Sequence, residues 1–155
     1  MSLPPFQQLL DTYGPDVHRL LVASVGQLDA DDCYQETWMA ALRAYPRLTD
    51  ASNLRSWLLT IASRKAIDHA RRARRRPIPV ESLPERAAPP VEEPDRAIWA
   101  HVRRLPPKQR TALALRFALD AGYDDVAGVM GTSQEAARRN VHEALKRLRL
   151  EYQHD

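Results

Sequence analysis

Arginines crowd the end of one predicted helix. Five of the six residues from 71 to 76 are arginine, and Arg64, Arg71 and Arg75 are spaced so that they share a helix face. The same face is broadened by Arg72, Arg74 and Arg76. Guanidinium groups in such a row can follow the phosphates of a nucleic acid and make binding salt-dependent. A basic helix end stabilised by its own dipole needs fewer charges than this run contains.

A second cluster lies near the C-terminus. The pattern from Tyr123 to Met130, a turn at Gly131-Thr132 and a longer helical pattern predict a helix-turn-helix, whose second helix enters the major groove with its N-terminal part. The exposed positions early in that second helix are Gln134, Glu135, Arg138, Arg139 and His142. Arginine can pair bidentately with guanine, which would give sequence readout. The alternative is an ordinary helical hairpin with a solvated charged face.

The N-terminal half offers acidic and aromatic groups. Asp31, Asp32 and Glu36 fall on one predicted helix, where a solvated face is the default interpretation. As a functional site they favour a basic partner surface over a metal ion, because neighbouring carboxylates alone are a weak cation signal. Tyr45 and Trp57 flank a polar loop beside the basic helix. They could stack on unpaired bases, but Trp57 lies on an apolar stripe and is better explained as a core residue.

No pattern indicates catalysis. The sequence lacks a GxxxxGK[ST] loop, a GxGxxG turn and an HExxH helix. Its five histidines are scattered, and its single cysteine, Cys33, cannot build a thiolate metal site. We therefore expect a protein that is not an enzyme and that uses no metal or cofactor.

Charge is unevenly distributed along the chain, and its concentration beside a helical pattern suggests a polyanion partner. The 155 residues suffice for one domain or two very small ones, and 28% of them are charged. Residues 1–50 carry a net charge of −4, whereas residues 51–76 carry +7. No apolar run approaches a membrane span, the N-terminus does not resemble a secretory signal, and one cysteine fits a reducing compartment. We expect a cytoplasmic protein without a membrane partner.

The elements that must position these groups are helices. Helical periodicity recurs and alternating strand patterns are absent from the sequence, so an all-α fold is predicted. Gly14-Pro15 is expected to bend or split the first helix. The second helix is predicted over about 31–44 with Met39 and Leu42 among its apolar positions, and the third over about 54–75 with Asn53 as a candidate cap.

Two small helical domains are predicted on either side of a proline-rich linker. Residues 77–94 contain six prolines and four acids, a composition typical of an extended linker. Domain boundaries of 1–76 and 95–155 follow. In the second domain, a helix carrying Leu113, Leu115 and Phe117 precedes the helix-turn-helix, and Thr132 with Glu135 forms a predicted capping box.

These segments, taken in order, resemble the extracytoplasmic-function sigma factors of the sigma-70 family. Residues 29–37 (DADDCYQET) are similar to that family's DAEDLVQET stretch, and residues 54–69 to its RAWLxxIA…ALDHLRR helix. Residues 105–110 (LPPKQR) are similar to the LPPRQR opening of its C-terminal domain. The helix-turn-helix completes the series. Four matches in order, covering nearly the whole chain, are more specific than any one of them.

The resemblance implies partners and roles. The chain would bind core RNA polymerase and promoter DNA as an alternative sigma factor, with an anti-sigma factor as a further candidate partner. The acidic helix would dock on polymerase through Asp31, Asp32, Gln35 and Glu36. The loop at 46–53 and the basic helix would hold the −10 element through Arg47, Asn53, Arg55, Arg64, Arg71, Arg72 and Arg75. The −35 element would be read by Gln134, Glu135, Arg138, Arg139 and His142.

Two other functions stay open from the sequence. A stand-alone helix-turn-helix regulator would bind an operator without polymerase, but it would need a dimer to contact two half-sites, and the sequence shows no clear dimer face. A protein–protein interaction module would use the basic helix to bind an acidic partner. Transcription with purified core polymerase separates the three.

Overall fold

The structure, a computed structural model, describes residues 3–75 and 94–154. Its helices are α1 (Phe6–Val25), α2 (Gln27–Ala44), α3 (Leu54–Arg75), α4 (Pro94–Val102), α5 (Pro107–Leu113), α6 (Tyr123–Met130) and α7 (Gln134–His154). A 3₁₀ turn, Tyr45–Arg47, follows α2, and a π-helical turn, Ala114–Ala118, follows α5. No strand occurs among these residues. The all-α prediction is therefore confirmed, while the predicted linker lies outside the described residues, except for Pro94 at the start of α4.

Helix α1 runs without a break through Pro15, so the expected split is wrong. A proline inside a helix removes one backbone hydrogen bond. Here Pro15 is exposed, whereas the neighbouring Val17 and Leu20 are completely buried, and their packing holds the helix together. The turn into α2 is made by Gly26, whose φ of +88° favours glycine. Helix α2 therefore starts at Gln27, earlier than the sequence indicated.

Helix α3 has the bounds that the sequence predicted. The side chain of Asn53 accepts a hydrogen bond from the Ser56 amide at 3.0 Å, which confirms the predicted cap. Its buried positions form two adjoining stripes, because α3 packs against α1 and α2 on one side and against α5 and α6 on the other. The first stripe contains Leu58 and Ala62, and the second contains Leu59 and Ser63.

The C-terminal half contains the predicted helix-turn-helix, α6 and α7, with α6 spanning Tyr123–Met130 as expected. Gly131 ends α6 with a φ of +65°, a conformation that favours glycine. The predicted capping box is wrong in its details. Ser133, not Thr132, caps α7: its hydroxyl accepts a hydrogen bond from the Ala136 amide at 3.0 Å. The run that includes Phe117 departs from an α-helix into the π-helical turn, and Phe117 is exposed.

The two halves share one hydrophobic core. Helices α5 and α6 pack on α3, the π-helical turn packs on α1, and buried residues from both halves form one cluster. Arg110 of α5 is only 8% exposed, and it donates hydrogen bonds to the carbonyl oxygens of Ser24 at 3.2 Å and of Leu105 at 3.0 Å. A buried guanidinium is stable only when it is hydrogen-bonded. The contact with Ser24 therefore ties the second half to the end of α1.

Candidate nucleic-acid interface and acidic face

The N-terminal part of α7 presents a polar surface. All five sequence-predicted residues on it are exposed: Gln134, Glu135, Arg138, Arg139 and His142. The opposite face is anchored by Ala137, Val141 and Ala144, which are completely buried. This division leaves the early side chains of α7 in position to meet a groove edge.

Two side chains that the sequence reasoning missed adjoin this surface. The guanidinium carbon of Arg138 lies 5.0 Å from the ring centre of Tyr123, the first residue of α6. Arg116, in the π-helical turn, places its guanidinium carbon 5.1 Å from the same ring and donates a hydrogen bond to the Ala121 carbonyl at 3.2 Å. A single cation inside the apolar run ALRFAL was the sequence signal that could have identified Arg116.

The exposed face of α3 carries four of the predicted cations, Arg64, Arg71, Arg72 and Arg75. A cleft of about 390 Å³ between α2 and α3 is lined by Glu36, Lys65, Asp68, Arg71, Arg72 and Arg75. Lys65 was not among the predicted cations, although it directly follows Arg64 in the sequence. Positive charge predominates in the cleft, so it is suited to phosphate.

Predicted DNA contacts in the loop before α3 and in its first turn differ in exposure. Arg47 and Asn53 are exposed. Hydrogen bonding to Ser52, first to its side chain and then to its amide, lowers the pKa of the Asp50 carboxyl. Arg55, by contrast, is partly buried and pairs with Asp16 of α1 at 2.9 Å. Arg55 is therefore engaged in an ion pair within the protein, whereas the side chain of Arg47 is exposed to solvent.

The aromatic pair belongs to the core. Tyr45 is 8% exposed, and its hydroxyl donates a hydrogen bond to the Pro4 carbonyl. Its ring packs against those of Phe6 and Trp57, with ring centres 5.3 and 6.0 Å apart. The core interpretation of Trp57 is supported, because its ring packs on a buried tyrosine.

Helix α2 exposes its acids together with apolar side chains. Asp31, Asp32, Gln35 and Glu36 are exposed. Met39 and Leu42, two of the apolar positions of the predicted helix, are 57% and 56% exposed. The spacing explains this, since positions 32, 35, 39 and 42 follow one helix face. The face therefore combines carboxylates with an apolar patch. The helical spacing of three and four residues, followed along the sequence from Asp32, would have identified this face.

Two ion pairs link α2 to α3. His69 Nε2 lies 3.1 Å from Asp29, and Arg72 Nη2 lies 3.9 Å from Glu36. These pairs are partly exposed, so they contribute little to stability. They place the acidic face and the basic face side by side.

Cys33 lies beneath the acidic face and is buried. Burial, followed by the nearby carboxylates of Glu36 and Asp29, raises the pKa of its thiol to about 11. Nucleophilic cysteines have lowered pKa values, so this thiol is a core group.

The part of the chain that the structure describes contains no cluster of His, Cys, Asp and Glu side chains suited to a metal ion. In that part, no helix is both long and apolar enough to cross a membrane.

Family models match both halves. Sigma-70 region 2 matches residues 9–76, and sigma-70 region 4 matches residues 95–148. Region 2 contains the acidic and basic faces of α2 and α3, and region 4 contains the helix-turn-helix.

Two curated relatives match most of the chain. The chain is 34% identical to the ECF RNA polymerase sigma factor SigD of Mycobacterium tuberculosis strain H37Rv, over 92% of this chain and 74% of SigD. It is 33% identical to the ECF RNA polymerase sigma factor ShbA of Streptomyces griseus, over 77% of this chain and 69% of ShbA.

Solved structures share the fold. The sigma factor RpoE of Bartonella quintana, in complex with the anti-sigma factor NepR, matches with a TM-score of 0.67 and 24% identity, over 92% of this chain and 93% of RpoE. CnrH, in complex with the cytosolic domain of CnrY, matches with a TM-score of 0.70 and 21% identity, over 97% of this chain and 88% of CnrH.

Proposed function

The chain belongs to the extracytoplasmic-function sigma factors of the sigma-70 family, and from this premise we propose which of its residues bind polymerase, the −10 element and the −35 element. As an alternative sigma factor it is not an enzyme, and its partners are core RNA polymerase and promoter DNA. The proposal rests chiefly on one observation. Each of the two matched regions presents an exposed arginine face, on α3 and on α7.

The −35 element is assigned to α7. Its exposed Arg138 and Arg139 are suited to base edges in the major groove, while Gln134, Glu135 and His142 flank them. Arg116 adds a cation beside this surface. Phosphate contacts orient a protein on DNA and base contacts give specificity, so we assign Arg138 and Arg139 to sequence readout.

The −10 element is assigned to α3 and the loop before it. Arg64, Arg71, Arg72 and Arg75 supply a phosphate-binding row, and Arg47 and Asn53 lie exposed in or beside the loop. Because Asp16 already pairs with Arg55, we give Arg55 the role of fixing the start of α3 against α1, with a DNA contact only if that pair opens.

Core polymerase is assigned to the exposed face of α2. Asp31, Asp32, Gln35 and Glu36 would meet a basic surface, and Met39 and Leu42 would add apolar burial at its centre. An interface that combines an apolar centre with charged groups at its rim has the usual anatomy of a specific contact.

The compact arrangement is proposed as the free form. A compact chain of this length has a radius of gyration of about 15 Å. The −35 and −10 elements are nominally separated by about 25 base pairs, or roughly 85 Å at 3.4 Å per base pair. The two units must therefore separate on a promoter, which breaks the Arg110–Ser24 contact.

A distance measurement tests this separation. Fluorophores at Gln7 and Arg147 should move apart by several tens of Å in the holoenzyme on DNA, which is about the difference between the spacing of the two promoter elements and the size of the compact chain. An unchanged distance would refute the separation.

An anti-sigma factor is a further proposed partner. The structures of RpoE and CnrH contain NepR and the cytosolic domain of CnrY, and this chain shares their fold. We place its action in the cytoplasm, with polymerase. An anti-sigma protein of this chain should displace it from core polymerase in competition; failure of every such candidate to compete would count against the proposal.

The assignment is tested by binding. Purified chain and core polymerase from the encoding organism are mixed, and the holoenzyme is challenged with a promoter library randomised across the −35 and −10 elements. The proposal expects a stable holoenzyme that selects one sequence at each element. A chain that selects DNA alone, without core polymerase, would instead be a stand-alone regulator. A chain that binds neither would be an interaction module.

A further inference from the structure

Tyr123 stands between two arginines of the C-terminal unit. Its half-buried ring has the Arg138 guanidinium at 5.0 Å and the Arg116 guanidinium at 5.1 Å. Cations within about 6 Å of an aromatic ring centre are attracted by its electron-rich face. One ring therefore contacts both a proposed base-reading side chain and a cation outside the helix-turn-helix.

The two arginines are held differently. Arg116 is partly buried, and the Ala121 carbonyl accepts one of its hydrogen bonds at 3.2 Å. Arg138 is exposed, and in the described part of the chain no carboxylate lies within ion-pair distance of it. Its cation–π contact with Tyr123, at 5.0 Å from the ring centre, can restrain a guanidinium that would otherwise sample many rotamers.

We propose that Tyr123 is a positioning residue for −35 recognition, which orders the Arg138 guanidinium before DNA arrives. This inference rests on the proposed function of α7. A guanidinium that is already ordered loses less rotamer entropy on binding, so the same base contact gives a higher affinity. Arg116, fixed by its backbone contact, adds positive potential beside Arg138 that favours the DNA backbone.

The ring, and not the hydroxyl, carries this role. Tyr123→Phe keeps the aromatic face and removes only the hydroxyl, whereas Tyr123→Leu keeps an apolar side chain and removes the face. We expect Tyr123→Leu to weaken holoenzyme binding to the selected −35 sequence by roughly three- to fivefold, the effect of one partly exposed cation–π contact. Tyr123→Phe should keep most of the wild-type affinity for the selected sequence. Neither variant should change binding to a scrambled −35 sequence.

A double-mutant cycle makes the coupling measurable. If Tyr123 acts through Arg138, adding Tyr123→Leu to an Arg138→Ala chain should cause no further loss, because the group it positions is gone. Each variant is checked for wild-type helicity by circular dichroism and for normal core polymerase affinity. The binding series uses the holoenzyme on matched and scrambled promoters.

The outcomes distinguish this inference from the proposed function. If wild-type holoenzyme does not discriminate between matched and scrambled −35 sequences, the function assigned to α7 is wrong. If the wild type discriminates and Tyr123→Leu discriminates equally well, the positioning role is wrong and the function stands. The role is also wrong if Tyr123→Phe loses as much as Tyr123→Leu, or if the two losses add in the double variant.

Discussion

Arg72 of α3 lies 3.9 Å from Glu36 of α2, so a proposed DNA-binding cation and a proposed polymerase-binding carboxylate are partners in one ion pair. Both side chains are about half exposed, and such a pair stabilises the fold by little. Its position matters more than its strength, because it shows that the acidic face of α2 and the basic face of α3 adjoin. Polymerase docked on α2 would thus lie directly beside DNA held by α3.

Reversing the acidic face should remove polymerase binding. We expect Asp32→Lys with Glu36→Lys to weaken core association by roughly thirtyfold or more, because like charges would then face each other across the proposed interface. Asp11→Lys, which reverses an exposed acid on α1, is the matched control and should bind normally. Affinity is measured by fluorescence titration with core polymerase, and circular dichroism verifies the fold. Normal affinity of the double variant would refute the assignment of α2.

Alanine substitutions in the two arginine faces should reduce promoter affinity in different ways. Arg138→Ala or Arg139→Ala should cost about 1–3 kcal/mol at the selected −35 sequence and less elsewhere, because base edges differ between sequences. Arg71→Ala, Arg72→Ala and Arg75→Ala together should weaken all promoters alike. The triple variant should also flatten the salt dependence by about 0.9 for each phosphate of duplex DNA that is no longer neutralised.

The measurement is holoenzyme binding to matched and scrambled promoters across a salt series. Arg147→Ala, an exposed arginine farther along α7, serves as a charge-matched control. Equal losses of the Arg138 and Arg139 variants on both promoters would show that α7 does not read sequence.

Much of the helical framework could be predicted from the sequence, since its signals are local. The bounds of α3 and α6 follow from apolar periodicity, the Asn53 cap and Gly131. The split predicted at Pro15 was wrong because proline is a local signal that competes with tertiary packing. The buried Val17 and Leu20 hold α1 continuous through this position. The exposure of Met39 and Leu42 could not be predicted, because an apolar side chain at helical spacing can pack in the core or face a partner protein.

The candidate site was predicted less completely than the helices. Exposed cations at regular spacing, such as Arg71 and Arg75, can be found by counting. The contacts of Arg138 with Tyr123 and of Arg110 with Ser24 join residues that are distant in sequence. No spacing rule predicts such pairs, because they depend on how whole helices pack.

The cap of α7 gives a direct test of local geometry. Ser133→Ala should lower the free energy of unfolding by about 1 kcal/mol, because the Ala136 amide loses its acceptor. Thr132→Ala is the neighbouring control and should cost clearly less, since its hydroxyl does not cap the helix. Urea denaturation followed by circular dichroism measures both. A larger loss for Thr132→Ala would support the capping box instead.

Cys33 should be unreactive in the folded protein. Burial raises the pKa of its thiol from 9.0 to about 11, so at pH 8 its thiolate fraction is about a hundredfold lower than in the unfolded chain. Because the folded-state pKa is the higher one, the neutral thiol favours folding below pH 9, and that contribution falls as pH rises from 9.0 towards about 11. Mass spectrometry after iodoacetamide treatment compares native and urea-unfolded chains. Equal labelling rates would contradict the buried position.

Promoter-specific transcription by purified components is the decisive measurement for the assignment as a sigma factor. Core RNA polymerase from the encoding organism is supplied with the chain, nucleotides and a template carrying the selected −35 and −10 elements, beside a template with both elements scrambled. We predict a defined transcript that requires the chain, starts downstream of the intact elements and is absent from the scrambled template. No transcript, or equal transcription of both templates by a properly formed holoenzyme, would contradict the assignment.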